Sequence, residues 1–197
     1  MKKLTILIVA LLPFAAYAQD FNKDLASART AYSGGKLEDA RFAMQQMLND
    51  IDVLVGKEII KILPAKMDAL VSNPKEDQVT ANTGIAGAQV QRTYGTGTKN
   101  ATVDIMSNSP LIGSVNAILS IPFVGNSGDG TQKVVKVQGY KGILQKSTDT
   151  ETNKENFTLQ VPLSSALLTF TVNESNEADV LRLANTIPVT QIAKMVQ

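Results

Sequence analysis

The 197-residue chain contains no cysteine, no histidine and no tryptophan, and only 5% of it is aromatic. Without cysteine there is no disulfide, no thiolate nucleophile and no lipid anchor attached through sulfur. Without histidine there is no Ser-His-Asp or Cys-His machinery and no imidazole base. Nor is there a zinc, copper or haem site built on imidazole or thiolate. An excess of charge of one sign is missing too: 19 Lys and Arg stand against 18 Asp and Glu, and the basic residues do not cluster. With few rings to stack on bases, this excludes a nucleic-acid binder. No cofactor and no metal ligand set is expected. Carboxylate, lysine, tyrosine and serine chemistry remains.

Lys2 and Lys3 form a short basic start, Leu4 to Leu12 an apolar run too short to span a bilayer, and Ala16-Tyr17-Ala18 a small-residue site. That order predicts a signal peptide over residues 1–18, leaving Gln19 as the new N-terminus. Removing Lys2 and Lys3 leaves 17 basic residues against 18 acidic ones, a net charge of −1. No later run reaches the roughly 18 apolar residues of a membrane span, so the mature chain is expected to lack a transmembrane segment. The expected location is the periplasm of a Gram-negative bacterium. In that oxidising compartment apolar packing alone must hold a chain without cysteine.

Phe21, Leu25, Ala28 and Tyr32 recur at helical spacing, and Ser33-Gly34-Gly35 breaks the pattern. A second helix then carries Leu37, Ala40, Met44, Met47, Ile51, Leu54, Val55, Glu58 and Ile62, stopping near Leu63 because Pro64 follows. Ala31 to Leu48 resembles part of a tetratricopeptide repeat. Only one unit fits, and such repeats need about three to bury their faces, so a solenoid is excluded. The expectation is one helical hairpin over 19–72, with the boundary in the polar Asn73–Gln78 stretch.

Beyond it the period becomes two. Ala88, Val90, Arg92 and Tyr94 alternate with polar residues, Gly95-Thr96-Gly97 turns the chain, and Ala101, Val103 and Ile105 alternate in their turn. Ser109-Pro110 signals a helix start, with Leu111, Ile112, Val115, Ile118 and Leu119 as its apolar face and Pro122 as its end. A polar loop is expected at Gly125 to Gly130. Strands follow at Thr131–Gln138, from Ile143, at Phe157–Val161 and at Ser165–Val172, the last apolar enough to be central. A bend is expected at Gly139–Gly142 and a loop at Ser147–Glu155. A closing helix carries Ala178, Leu181, Ala184 and Asn185 or Ile187, and after Pro188 a last short turn holds Ile192 and Met195. The fold class read from this order is α+β, a helical hairpin followed by an antiparallel sheet flanked by helices over 73–197.

The stretches ILPAKMDAL (Ile62 to Leu70), VQRTYG (Val90 to Gly95), VDIMSNSPL (Val103 to Leu111) and KVQGYKGILQK (Lys136 to Lys146), with the closing helix, resemble a family of small exported bacterial proteins of unassigned function. Their order is similar to the PsbP-like sandwich, an antiparallel sheet between helices. The resemblance implies a fold and carries over no site residue.

Three local patterns have weak chemical readings. Ser72-Asn73-Pro74-Lys75 spells S-x-x-K but lacks the companion motifs and carries a proline where a helix is needed. Asp149, Glu151, Asn153 and Glu155 alternate like a calcium loop, yet Lys154 and Gln160 occupy the positions of its glycine and its glutamate. Gly95 to Lys99 joins two strands, so no helix N-terminus faces an anion there. The preferred reading is a non-enzymatic interaction module whose helices dock on a protein partner or a second copy, with Met44, Met47, Ile51 and Glu58 as interface candidates. The alternative is a small-ligand site, or a lysine- or carboxylate-based hydrolase, near Arg92, Asp104 and Tyr140.

Overall fold

The computed structural model describes residues 12–81, 87–121, 128 and 130–196. The basic start and most of the apolar run expected of a signal peptide, the stop at Pro122 and most of the Gly125–Gly130 loop lie outside these residues. The chain divides into two compact units, Met1–Asp52 and Val53–Gln197.

The first unit holds α1 (Leu12–Ser33) and the start of α2 (Leu37–Ile62). α1 runs through Ala16-Tyr17-Ala18. The Gly34-Gly35 break is a Schellman cap: the Lys36 N–H donates to the Ala31 carbonyl at 2.9 Å, the Gly35 N–H to that of Tyr32 at 3.1 Å. Gly35 sits at φ 73°, a left-handed conformation that costs glycine nothing. Glu38 and Asp39 open α2 and Lys61 closes it, each suiting the helix dipole.

Among the described residues, the second unit contains the last turns of α2 and nine strands. These are β1 (Lys66–Met67), β2 (Leu70–Val71), β3 (Gln78–Thr80), β4 (Gln89–Thr96), β5 (Lys99–Ser107), β6 (Gln132–Val137), β7 (Tyr140–Thr148), β8 (Glu155–Pro162) and β9 (Ala166–Val172). Helix α3 (Ile112–Ser120) lies between β5 and β6 in the chain; α4 (Glu177–Ala184) and α5 (Val189–Met195) close it. β1 and β2 form their own small hairpin. The rest make one antiparallel sheet in the order β3-β4-β5-β9-β8-β7-β6, so β9 is central, as its apolar run predicts.

Alternation along each strand puts one face inward. Val90, Tyr94, Val103, Ile105, Phe157, Leu159, Leu168 and Phe170 join Ile59 of α2, Leu63 just after its end, Val180 and Leu183 of α4, and Val189 and Ile192 of α5 in one core. The other face is a polar array. Thr93, Thr102, Thr171, Thr158 and Gln145 stand in one cross-strand row, and Gln91, Asp104, Thr169 and Gln160 in the next. Val115 of α3 packs on Ile143 and Leu167 of this second face.

Several expectations are corrected. The turn after β6 is Gln138-Gly139, both left-handed (φ 48° and 88°), so Tyr140 already pairs with Val137 and no bend follows it. The Ser147–Glu155 loop is shorter, because β7 reaches Thr148. Asp149 Oδ1 accepts the N–H groups of Glu151 and Thr152 in a tight turn, and these bonds hold its carboxyl pKa below the usual range. In α4 the buried residues are Val180, Leu183 and Ala184; Ala178 is exposed, and Asn176 caps the helix by accepting the Asp179 N–H at 2.9 Å. Leu111 of the α3 approach is exposed. The Asn73–Gln78 stretch, read as polar boundary, holds a short 3-10 turn at Pro74–Glu76 and the start of β3.

Candidate functional site

The three ligand candidates do not converge. Arg92 is on the inner face of β4, where Nε and Nη2 grip the Asp77 carboxylate at 2.9 and 2.6 Å and Nη1 donates to the Leu63 carbonyl at 3.1 Å. It is 8% exposed and fully engaged. Beside it the Tyr94 ring is wholly buried, and its hydroxyl has no hydrogen-bond partner among the described residues. Burial pushes the Tyr94 pKa up to about 12 against the opposing pull of the Arg92 charge.

Asp104 lies on the opposite face, opposite Gln91 and Thr169. Burial raises its carboxyl pKa, while a 2.6 Å bond from Gln89 Nε2 works the other way. Tyr140 shares Arg92's face but sits on β7, four strands away from β4, about 19 Å at 4.8 Å per strand. The polar cleft over Thr93 and Thr102 is satisfied from within. Thr93 Oγ1 donates to Glu76 at 2.7 Å and Asn73 Nδ2 to the Gly95 carbonyl at 2.8 Å. No group of three or more His, Cys, Asp or Glu able to hold a metal occurs among the described residues.

The other candidates are on α2. In the first unit the buried residues include Ala28 of α1 and Ala40 and Ala43 of α2. Small side chains thus fill the positions turned inward. The large ones turn out: Leu37 is 64% exposed, Met44 49%, Leu48 55% and Ile51 43%. Tyr32 and Phe42 are exposed as well. Met47, one step round the helix, is half-buried. Glu58, in the second unit, is exposed and pairs with Lys61 at 2.5 Å, a partner the sequence offers by its i, i+3 spacing.

The apolar periodicity of α2 is therefore real but serves two purposes. Ala40, Ala43 and Met47 mark one face. Leu37, Arg41, Met44, Leu48 and Ile51, spaced 4-3-4-3, mark another, and all five are exposed. Met44 and Ile51, two of the interface candidates, lie on this exposed face, and Leu48, which the 3-4 spacing also contains, joins them.

No protein-family model, no curated protein and no solved structure matches the chain. Among the described residues no helix is long and apolar enough to cross a membrane.

Proposed function

We propose that this protein is an exported, non-enzymatic interaction module of the Gram-negative periplasm, with the helical hairpin as docking surface and the sheet unit as scaffold. The observation that carries the reading is the exposed row Leu37, Met44, Leu48 and Ile51 on α2. Contiguous apolar surface left in water costs about 25 cal/mol per Å², and soluble chains keep such patches for contacts. The basic start, apolar run and Ala16-Tyr17-Ala18 site support export. The order of hairpin, sheet and helices supports kinship with small exported bacterial proteins of PsbP-like sandwich fold. Dispersal of Arg92, Asp104 and Tyr140 over two faces and two ends of the sheet weighs against a ligand site built from them.

The test is photo-crosslinking in the producing cell from an unnatural residue placed at Met44 or Leu48, with Thr171 on the sheet as control. Discrete adducts are expected from α2 and none from Thr171. Adducts from neither, or from Thr171 alone, refute the docking role. Intact mass of the envelope-derived protein checks export: the chain should begin at Gln19, and a species retaining Met1 sinks that part.

A further inference from the structure

The 4-3-4-3 spacing names the kind of partner. A seam with large residues every 3.5 positions fits another helix, because that period keeps one stripe facing a neighbour along its length. We propose that the occupant is a second copy of this chain, its α2 running antiparallel to the first. The proposal rests on the reading of the hairpin as docking surface and adds who docks there.

The charge inside the seam selects both partner and direction. Arg41 occupies a seam position between Leu37 and Met44. Parallel in-register pairing sets Arg41 against its own counterpart, and like charges face each other in the contact. Antiparallel pairing in which Leu48 meets Met44 of the second copy moves the two Arg41 residues ten positions apart, about 15 Å. Within the first unit, Arg41 then faces Ile51 of the second copy. Arg41 also lands beside Asp52 of the second copy, with Glu38 of its own helix next to it. Neither Arg41 nor Asp52 makes a side-chain hydrogen bond or ion pair with another described residue. A two-fold axis near Gln46 satisfies all of this twice over, as a closed self-complementary contact requires. Two heptads are short, so a dissociation constant on the order of 10 µM is expected.

The absence of cysteine makes the register readable. Protein carrying Met44→Cys is mixed with protein carrying Leu48→Cys and oxidised mildly. The antiparallel register gives mainly the mixed disulfide; a parallel pair gives mainly the two self-linked products and overturns the proposal. By sedimentation from about 1 to about 200 µM, the unmodified protein should shift from monomer to dimer. Leu48→Glu should weaken it more than about 100-fold while leaving the circular dichroism unchanged, since Leu48 is exposed. Arg41→Glu should weaken it about 10-fold, and adding Asp52→Arg should restore it. A protein monomeric throughout, or a dimer indifferent to Leu48→Glu, overturns the pairing. If that monomer still gives cellular adducts with another protein from Met44 or Leu48, self-pairing alone has failed and the docking role stands.

Discussion

Two polar residues sit where a strand reading expects apolar ones, and they are tolerated in different ways. Arg92 enters the inner face of β4 because Asp77 supplies a bidentate partner and the Leu63 carbonyl a third contact. Removing either partner would strand a buried charge. The alternation showed that Arg92 points inward, but Asp77 lies 15 positions upstream and only the β3-β4 pairing brings it close. The Tyr94 hydroxyl has no hydrogen-bond partner among the described residues, so Tyr94→Phe should be neutral or slightly stabilising at pH 7. It should also abolish an alkaline loss of stability. The unfolded tyrosine ionises near pH 10 and the folded one only near 12. Between those values the folded state holds a proton that the unfolded state has lost, and stability falls by at most about 1.4 kcal/mol per pH unit. Chemical denaturation at pH 8, 10 and 11 checks it; equal alkaline slopes in both proteins contradict the assignment. Asp104 gives the acid counterpart. Its raised folded pKa means that the ionised carboxylate costs stability above that pKa, a cost gone below the ordinary 3.8. Asp104 is partly solvated, so Asp104→Asn should gain less than about 1 kcal/mol at pH 7. The gain should vanish at pH 3, and a variant less stable at pH 7 would show that the carboxylate itself is needed.

At the scale of elements, strand positions were legible wherever one face is buried and the other wet, because period two then shows in the residues themselves. β4, β5, β8 and β9 follow from Val90, Val103, Leu159 and Phe170. β1, β2 and β3, of two or three residues each, are too short to carry a period. Helix faces were harder to read. The apolar positions of α2 and α4 could be picked out, but not which neighbour each face meets. Alanines proved to be the inward residues of the hairpin, and Leu37, Met44 and Ile51 the outward ones. The candidate site was therefore half-legible: Met44 and Ile51 belong to the exposed seam, but only burial separates that seam from the inward face. The hairpin turn was plain from its glycines, and it makes a sharp prediction. Gly35→Ala must hold a left-handed conformation, costing roughly 1 kcal/mol, although nothing lies within 4 Å of the added methyl. Amide exchange in Ala31 to Ala43 should speed up accordingly; an unchanged rate would mean that the Schellman cap contributes little.

At the scale of the whole molecule the question is where one folding unit stops. The polar stretch at Asn73 suggests a boundary after the hairpin, but the chain divides between Asp52 and Val53, inside α2. The reason lies in the last turns of that helix. A methyl at Gly56 would stand 2.6 Å from Val79 Cγ1 and 2.9 Å from Val90 Cγ2, so the helix backbone rests directly on the β3 and β4 side chains. Ile59 and Leu63 are buried in the sheet core, and the Leu63 carbonyl holds Arg92. Those turns belong to the sheet unit although they continue the hairpin's helix. Two truncations separate the alternatives. A chain beginning at Val53 keeps Gly56, Ile59 and Leu63 and should unfold cooperatively, close in stability to the sheet unit of the intact protein. A chain beginning at Pro64 loses both large side chains, each worth about 2–5 kcal/mol, and leaves Arg92 short of one acceptor. Against a typical total of about 5–15 kcal/mol that loss should leave it largely unfolded. Gly56→Ala in the full chain should lower stability by about 1–3 kcal/mol through the same contact. Two truncations of equal stability, with a silent Gly56→Ala, would move the boundary back to the polar stretch.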